Sequence, residues 1–249
     1  MHKKIFSSGN DMAAAAADAI IDLVKDMPDA LLCFATGNTP VETYRLLVKK
    51  ALAEEVDFSR CFCIGLDEWV GVEPGTPGSC HYTLHEQLFR PLGITASQLH
   101  LFDAMAEDPD MECKKMDILV AEKGGIDCML VGVGLNGHVG FNEPGVDIKL
   151  GAHVQLLHPS TLESGKHYFE TPVAIQKGIT LGLTHMMHAR LLLMLANGSH
   201  KATVVKRLAE EEVTNMLPAG YIRKHANGWL LLDEAAASLL EAQVLAMEK

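Results

Sequence analysis

The sequence lacks a basic excess, a long apolar run and any C-x-x-C pair of cysteines. Its formal net charge is −11, so it has no surplus of cations to neutralise nucleic-acid phosphates or an anionic membrane surface. No apolar run approaches the length that spans a bilayer, and no apolar core precedes a signal-peptide cleavage site. These absences argue against nucleic-acid and membrane partners. They leave open a phosphorylated small molecule, which needs only a local positive pocket.

The cysteines and the overall composition indicate a protein of the reducing cytoplasm. Six cysteines occur, at positions 33, 61, 63, 80, 113 and 128, and none forms a C-x-x-C pair. Most lie in apolar runs, which favours reduced core residues over disulfides. The chain has 249 residues, 48% of them hydrophobic, which suffices for a full core. With no repeat, linker or boundary evident, we predict one domain over residues 1–249.

Strand-like and helix-like segments alternate along the whole chain. The predicted strands are 31–35, 60–66, 98–102, 128–133, 154–157, 178–183, 191–196 and 230–232, and the predicted helices are 12–25, 41–54, 79–92, 109–123, 197–210 and 234–247. This alternation predicts an α/β fold with a mostly parallel sheet and helices on both faces. The first strand is expected near Leu31, and residues 162–169 fit no element. Ligands of such sheets bind beyond the carboxyl ends of the strands.

The stretch from Ile126 to Gly145 has the strongest signature of a site. An apolar run, 128–133, predicts a buried strand, and glycines follow at 132, 134 and 137. The polar residues after it are Asn136, His138, Asn142 and Glu143. A solvated connecting loop is the alternative, but such a loop needs no group of glycines around one histidine. The glycines also match G-x-G-x-x-G, yet the Asn-Glu-Pro-Gly that follows would break the helix a dinucleotide site requires.

Three further strand ends carry candidate binding or catalytic groups. Thr36, Gly37, Asn38 and Thr39 precede Pro40 and a helix, which suits either a phosphate cradle or a plain N-cap. Lys201 begins another helix, where it either pairs with a phosphate or is simply exposed. Asp67 and Glu68 end a strand. One of them could have a raised proton affinity for acid–base work, or could cap the next element.

A metal site is not expected. His81 and His85 have the i, i+4 spacing of metal ligands on a helix. No third ligand is evident near them, and the same helix has apolar partners at Leu84 and Leu88. We therefore predict structural or surface roles for both histidines.

Four motifs, taken in order, resemble the glucosamine/galactosamine-6-phosphate deaminase/isomerase family. They are T-G-N-T-P, L-D-E-W-V-G, G-V-G-L-N-G-H-V-G-F-N-E-P-G and G-S-H-K. The similarity spans nearly the whole chain. L-D-E-W-V, N-G-H-x-G and K-G-I-T-L-G-L make it look closest to the galactosamine-6-phosphate branch. The resemblance implies a modified Rossmann-like fold and conversion of an amino-sugar 6-phosphate to a ketohexose 6-phosphate with release of ammonia. It implies no metal or organic cofactor, and homo-oligomer formation is left open.

The resemblance also implies roles for particular residues. Asp67 would move a proton from C2 to C1 of the substrate, His138 would assist ring opening, and Glu143 would orient and charge-balance His138. The phosphate would be held by Thr36, Gly37, Asn38, Thr39 and Lys201. A further cationic contact is expected between residues 160 and 169, where Lys166 is the candidate.

Two departures from the family pattern affect these expectations. The glucosamine branch usually has Asp where this chain has Asn136, and an amide carries no charge. His138 should then be less basic unless Glu143 compensates. We interpret this as a change in how the sugar is held, with activity retained. Regulated relatives carry basic and hydroxyl groups for an allosteric phosphate in this region, whereas residues 145–153 here read G-V-D-I-K-L-G-A-H. We therefore expect no activation by an N-acetylhexosamine phosphate.

Two other functions share features with this pattern. 6-Phosphogluconolactonases share the fold and a G-x-G-x-x-G-H core, but they lack the F-N-E-P-G continuation found here. Sugar-responsive transcription regulators carry effector domains of this fold, preceded by a DNA-binding segment. Here about thirty residues precede the first predicted strand, with no basic helix-turn-helix. We expect the deaminase/isomerase activity ahead of both alternatives.

Overall fold

The computed structural model describes residues 1–241, whose largest feature is a seven-stranded sheet. Its order is β1-β10-β9-β6-β2-β3-β5, and every neighbouring pair is parallel. The strands are β1 (His2–Phe6), β2 (Leu31–Phe34), β3 (Phe62–Gly65), β5 (Leu99–His100), β6 (Cys128–Gly132), β9 (Leu191–Ala196) and β10 (Gly228–Asp233). Strands from both ends of the described chain thus share one sheet.

A second sheet of three short strands stands beside the first. Its order is β4-β8-β7 and its pairs are antiparallel. The strands are β4 (Asp67–Trp69), β7 (His153–Leu156) and β8 (Lys177–Thr180). Strand β4 begins two residues after β3 ends, so the chain passes directly from the large sheet to the small one. This transition determines where Asp67 lies.

Helices cover both faces of the large sheet, as the sequence predicts. They are α1 (Gly9–Asp26), α2 (Val41–Ala53), α3 (Cys80–Leu84), α4 (Pro109–Glu122), α5 (Pro159–Lys166), α6 (Leu183–His188), α7 (Ala202–Glu210) and α8 (Glu234–Ala237). A π-helical turn, His85–Phe89, extends α3, and 3₁₀ turns occur at Ala96–Gln98, Ser199–Lys201 and Pro218–Lys224. None of the helices in residues 1–241 is long and apolar enough to cross a bilayer.

Alternate residues of a buried strand supply two separate cores. Leu31 and Cys33 of β2 belong to the core on one side, together with residues of α4, α7 and α8. Leu32 and Phe34 belong to the core on the other side, with residues of α1 and α2. Side chains alternate between the two faces of a strand, so a continuous apolar run such as β2 is what a sheet covered on both faces requires. All six cysteines are buried and free.

The sequence-based prediction was wrong at one end of the sheet and incomplete elsewhere. The first strand is β1, not β2. Among the described residues, β1 is an edge strand that pairs with β10. Residues 159–166 form helix α5, in a region that the periodicity did not assign. Asp233 caps α8 by accepting a hydrogen bond from the backbone N–H of Ala236. The predicted continuation of that helix over residues 242–247 lies outside the described residues.

Candidate active site

A cavity of about 430 Å³ opens at the carboxyl ends of the central strands. Residues that follow β2, β6 and β9 line it, together with the start of β4 and part of the α5 region. Its polar lining residues are Thr36, Asn38, Thr39, Asp67, His138, Thr161, Ser164, His167, Tyr168, His200 and Lys201. Separate strand ends therefore bring a carboxylate, an imidazole and an ammonium group to one space.

Asp67 is the carboxylate of this cavity. It is the first residue of β4 and pairs with Thr180 of β8. Burial raises its pKa to about 7, the neighbouring Glu68 adds to this rise, and a hydrogen bond from the Cys80 thiol opposes it. A carboxyl group with a pKa near neutrality can both accept and return a proton at physiological pH. The site therefore contains a group suited to moving a proton between two atoms of a ligand.

Glu68 has a structural role. Its carboxylate accepts hydrogen bonds from the backbone N–H groups of Trp69 at 2.8 Å, Cys80 at 3.0 Å and His81 at 2.7 Å. Two of these N–H groups belong to the first turn of α3, where backbone donors have no partner within the helix. Successive side chains of a strand point in opposite directions. Asp67 consequently lines the cavity while Glu68 caps the helix behind it.

His138 lies in a tight turn after β6. The backbone N–H of Gly134 donates to the carbonyl of His138 at 2.9 Å, and the N–H of Gly137 donates to the carbonyl of Gly134 at 2.9 Å. Gly137 has φ +92°, a conformation that favours glycine. A Cβ on Gly134 would lie 2.3 Å from Cε1 of His138, so only glycine lets the ring pack there. The glycines thus allow the turn that positions the His138 ring. No helix begins at Gly137, so the dinucleotide-binding interpretation does not apply.

Glu143 and Thr161 lie close to Nδ1 of His138, and Asn136 is hydrogen-bonded to Glu143. Oε2 of Glu143 is 3.6 Å from Nδ1, and the Thr161 hydroxyl is 3.2 Å from it. The side-chain N–H of Asn136 donates a hydrogen bond to the same Glu143 oxygen at 2.9 Å. The side-chain oxygen of Asn136 accepts a hydrogen bond from the backbone N–H of His138 at 3.1 Å. The other Glu143 oxygen accepts the backbone N–H of His158 at 3.1 Å. Burial lowers the pKa of His138, and the charge of Glu143 opposes this effect.

Two further features of the lining suit an anion. Residues 36–39 lead into α2, whose first backbone N–H groups are available to a ligand, and Gly37 has φ +112°. Lys201 ends the 3₁₀ turn Ser199–Lys201 and donates from Nζ to the carbonyl of Val133 at 2.7 Å. Burial lowers the pKa of Lys201. A lysine and a helix N-terminus that line the same cavity are suitable groups for binding a phosphate.

The structure does not bring Lys166 to the cavity. Its ammonium pairs with Glu163 at 2.8 Å, and both side chains are mostly exposed on α5. Lys166 is absent from the residues that line the cavity. The cationic contact expected of Lys166 therefore has no counterpart here. The α5 region instead contributes Thr161, His167 and Tyr168 to the lining.

Sequence reasoning missed several lining residues. Cys80 was interpreted only as a core residue, although its thiol lines the cavity beside Asp67. Thr161 and Tyr168 belong to a polar segment that no periodicity placed. No sequence signal distinguishes Thr161 from Thr171, Thr180 and Thr184, which lie between the same two motifs. Within residues 1–241, no cluster of three or more His, Cys, Asp or Glu side chains could hold a metal ion.

The fold and the lining residues define an α/β protein with a cavity that combines acid–base groups and a site suited to an anion. Comparison with known proteins gives its family. The family model of glucosamine-6-phosphate isomerases/6-phosphogluconolactonase matches residues 7–231. The chain belongs to this family. The resemblance to glucosamine/galactosamine-6-phosphate deaminases/isomerases is thereby confirmed, while no comparison distinguishes a galactosamine branch.

Individual relatives match over nearly their whole length. The chain is 35% identical over 240 residues to a glucosamine-6-phosphate deaminase of Geobacillus sp. (strain WCH70), covering 95% of this chain and 96% of the relative. It is 33% identical over 230 residues to glucosamine-6-phosphate deaminase 1 of Bacillus subtilis (strain 168), covering 92% and 95%.

Solved structures agree with this assignment. A monomeric glucosamine-6-phosphate deaminase superposes with a TM-score of 0.93 at 32% identity, covering 96% of this chain and 100% of that one. The 6-phosphogluconolactonase of Trypanosoma brucei gives a TM-score of 0.78 at 20% identity, covering 96% and 98%. The second likeness shows the shared fold alone.

Proposed function

We propose that the protein converts an amino-sugar 6-phosphate to a ketohexose 6-phosphate and ammonia, with galactosamine 6-phosphate favoured and glucosamine 6-phosphate possible. The observation that carries this proposal is the shared cavity of Asp67, His138 and Lys201. The near-full-length relatives named glucosamine-6-phosphate deaminase support the same reaction class. The reaction consumes one water and needs no electron transfer.

Ring opening is the first step that the site must assist. A cyclic amino sugar opens when the anomeric hydroxyl loses a proton and the ring oxygen gains one. Burial keeps the His138 imidazole neutral near pH 7, and a neutral imidazole can accept one proton and pass on another. Glu143, 3.6 Å from Nδ1, orients the ring and balances the charge that His138 acquires.

The isomerisation step then requires a base between two adjacent carbons. In the open-chain aldose, Asp67 takes the proton from C2 and returns it to C1, while the aldehyde oxygen gains a proton and the amine nitrogen loses one. This leaves a hydroxyl group on C1 and a C=N bond at C2. Water adds to that imine carbon and ammonia departs, giving the ketone. A pKa of about 7 for Asp67 suits a group that must both accept and donate a proton in one cycle.

The phosphate binds remotely from the reacting carbons and fixes their position. Lys201 and the N-terminus of α2 after Thr39 supply charge and backbone donors for it. Binding energy from a non-reacting group is used in this way to hold C1 and C2 against the base. The preference for galactosamine rests on the L-D-E-W-V, N-G-H-x-G and K-G-I-T-L-G-L motifs.

Ammonia release measured with galactosamine 6-phosphate and glucosamine 6-phosphate side by side tests the proposal. We expect turnover of at least one, with the higher kcat/KM for the galactosamine ester. Hydrolysis of 6-phosphogluconolactone without ammonia release from either amino sugar would contradict it in favour of a lactonase. Binding of the esters without turnover would contradict it in favour of a sensor.

A further inference from the structure

Thr161 contacts the imidazole that the proposed reaction uses. It lies in the first turn of α5, is 5% exposed and lines the cavity. Its hydroxyl oxygen is 3.2 Å from Nδ1 of His138, which is a hydrogen-bonding distance. Oε2 of Glu143 is 3.6 Å from the same nitrogen, beyond that range. Thr161 therefore supplies the hydrogen bond at Nδ1, whereas Glu143 acts on the ring through its charge.

The Thr161 hydroxyl is not needed to begin α5, because other groups do so. Nδ1 of His158 accepts a hydrogen bond from the backbone N–H of Ser160 at 3.2 Å, and the backbone N–H of Thr161 donates to the carbonyl of His158 at 2.9 Å. The backbone N–H of His158 donates to Oε1 of Glu143 at 3.1 Å. The start of α5 is thus held against the pair of His138 and Glu143 at two points, and one of them is the Thr161 hydroxyl.

The charge beside Nδ1 favours one tautomer of His138. A neutral imidazole has one N–H donor and one acceptor nitrogen, and a hydroxyl group can serve as donor or acceptor. The partner of one ring nitrogen determines which nitrogen carries the proton. Because the Glu143 carboxylate lies on the Nδ1 side, it favours the proton on Nδ1. The Thr161 hydroxyl then accepts from Nδ1–H, and Nε2 keeps its lone pair.

We propose that Thr161 is a positioning residue, whose hydroxyl accepts the Nδ1–H of His138 and keeps Nε2 unprotonated for the proton that ring opening releases. This inference rests on the proposed function of His138. The flat face of the ring packs on Gly134, where an added Cβ would lie 2.3 Å from Cε1. That packing alone would tolerate a ring turned over by half a rotation, which exchanges Nδ1 with a carbon. The hydrogen bond to Thr161 distinguishes the two orientations, since a carbon cannot make it.

Other charged groups near His138 act on the ring as a whole. Burial lowers the pKa of His138, the charge of Glu143 opposes this effect, and the charges of Lys201 and His158 add to it. Nζ of Lys201 donates to the carbonyl of Val133 at 2.7 Å, and Nδ1 of His158 accepts from Ser160. These charges affect how readily the imidazole gains a second proton. The Thr161 hydroxyl affects which nitrogen carries the first one.

Substitution of Thr161, read by two independent measurements, tests the inference. The variants are Thr161→Val, which removes the hydroxyl, and Thr161→Ser, which retains it. Thr184→Val is the matched control, because Thr184 lies in the first turn of α6, donates from its hydroxyl to the carbonyl of Ile148 at 3.0 Å and does not line the cavity. The first measurement is ¹⁵N NMR of the His138 ring at pH 8, assigned by its loss in His138→Gln. The second is steady-state ammonia release.

In the wild type we expect a protonated Nδ1 and an unprotonated Nε2. In Thr161→Val the ¹⁵N signals of the two nitrogens should move towards each other, because the tautomers mix. We expect kcat to fall about fivefold, the equivalent of one lost hydrogen bond, while KM stays within about twofold of wild type. Thr161→Ser should restore the ¹⁵N signals and kcat, and Thr184→Val should leave both unchanged.

Three results would overturn the inference. They are a wild-type ring protonated on Nε2, unchanged ¹⁵N signals in Thr161→Val, and a change in Thr161→Ser or Thr184→Val equal to that in Thr161→Val. Thr161→Ala is read in the same way if Thr161→Val does not fold. The NMR measurement needs no turnover. A wild-type protein that releases no ammonia would therefore overturn the proposed function, whereas ammonia release with any of the three results would overturn this inference alone.

Discussion

Asn136 donates its side-chain N–H to Oε2 of Glu143 across 2.9 Å. The same carboxylate oxygen lies 3.6 Å from Nδ1 of His138, so the amide shares the carboxylate with the imidazole. Glu143 is 4% exposed, and a second carboxylate at position 136 would face it at hydrogen-bonding distance. The neutral amide therefore leaves Glu143 as the one charged partner of His138 in this contact.

Asn136→Asp should disturb this arrangement in two measurable ways. The new carboxylate would replace a hydrogen bond by like-charge repulsion, and we expect the free energy of unfolding to fall by about 1–3 kcal/mol. The pKa of His138 should rise because negative charge stabilises imidazolium. Denaturant unfolding and an NMR titration of the His138 ring measure the two effects, with Asn10→Asp as an exposed control.

The account of Asn136 fails under two results. One is a His138 pKa that does not rise in Asn136→Asp. The other is a wild-type protein that releases no ammonia from either amino-sugar phosphate while Asn136→Asp restores release. That second result would mean that the amide abolishes activity, whereas we expect it to change only how the sugar is held.

The raised pKa of Asp67 makes stability depend on pH. The folded-state value is about 7, against an ordinary value of 3.8, so the folded state binds the proton more tightly than the unfolded state. Such a group contributes stability at low pH, and this contribution is lost as pH rises towards 7. Asp67→Asn cannot ionise. We expect the stability of Asp67→Asn relative to wild type to increase between pH 4 and pH 7 and then to level off.

Denaturant unfolding of both proteins at pH 5 and pH 8 checks this dependence. The unfolding free energy of Asp67→Asn minus that of wild type should be larger at pH 8 than at pH 5. A difference that is equal at the two pH values, or larger at pH 5, would contradict the raised pKa of Asp67. In wild type the acid limb of kcat/KM should have its midpoint near pH 7, because kcat/KM reports ionisation of the free enzyme.

Gly134→Ala should displace the ring of His138. The added Cβ would lie 2.3 Å from Cε1 and 2.4 Å from Nε2, so the imidazole must leave its seat. We expect kcat/KM to fall about a hundredfold, the size of effect that a misplacement of about 1 Å produces. Gly75→Ala is the matched control, because a Cβ there meets nothing within 4 Å. Equal activity of the two variants would refute the proposed placement of His138.

Lys201→Met should weaken phosphate binding, whereas Lys166→Met should not. Lys201 lines the cavity, and loss of its charge would remove the partner that we propose for the phosphate. We expect KM to rise about tenfold or more, in line with loss of a charge-assisted contact. Lys166 is exposed and paired with Glu163, so its KM should stay within about twofold of wild type. Steady-state kinetics with both variants decides between the two lysines.

The sequence predicted the parts of the fold and the site that depend on strand ends. Apolar runs such as residues 128–133 identify buried strands, and polar groups directly after them meet at one edge of a parallel sheet. Asp67, His138 and Lys201 line the same cavity for this reason. The role of Glu68 as a cap was one of two readings that the strand end allowed.

The missed features depend on tertiary contacts. Strand β1 contains two lysines and is half-buried at the sheet edge, so its apolar pattern is weak. Helix α5 is short and polar. It is held by contact with the small sheet, since a Cβ on Gly165 would lie 2.6 Å from the Trp69 ring. Which of its side chains reach the cavity follows from this packing, and the exposed Lys166 could not be distinguished from lining residues by sequence.

The most direct test of the account is ammonia release by Asp67→Asn compared with Glu68→Gln. Asp67→Asn replaces the carboxylate that accepts the proton by a neutral amide. We predict that kcat falls about a thousandfold, within the range of general-base catalysis, and that the fold is retained. Glu68→Gln disrupts the cap of α3 and should lower the free energy of unfolding by about 1–3 kcal/mol, with a smaller effect on kcat. Ammonia release by folded Asp67→Asn within tenfold of wild type would contradict the central claim.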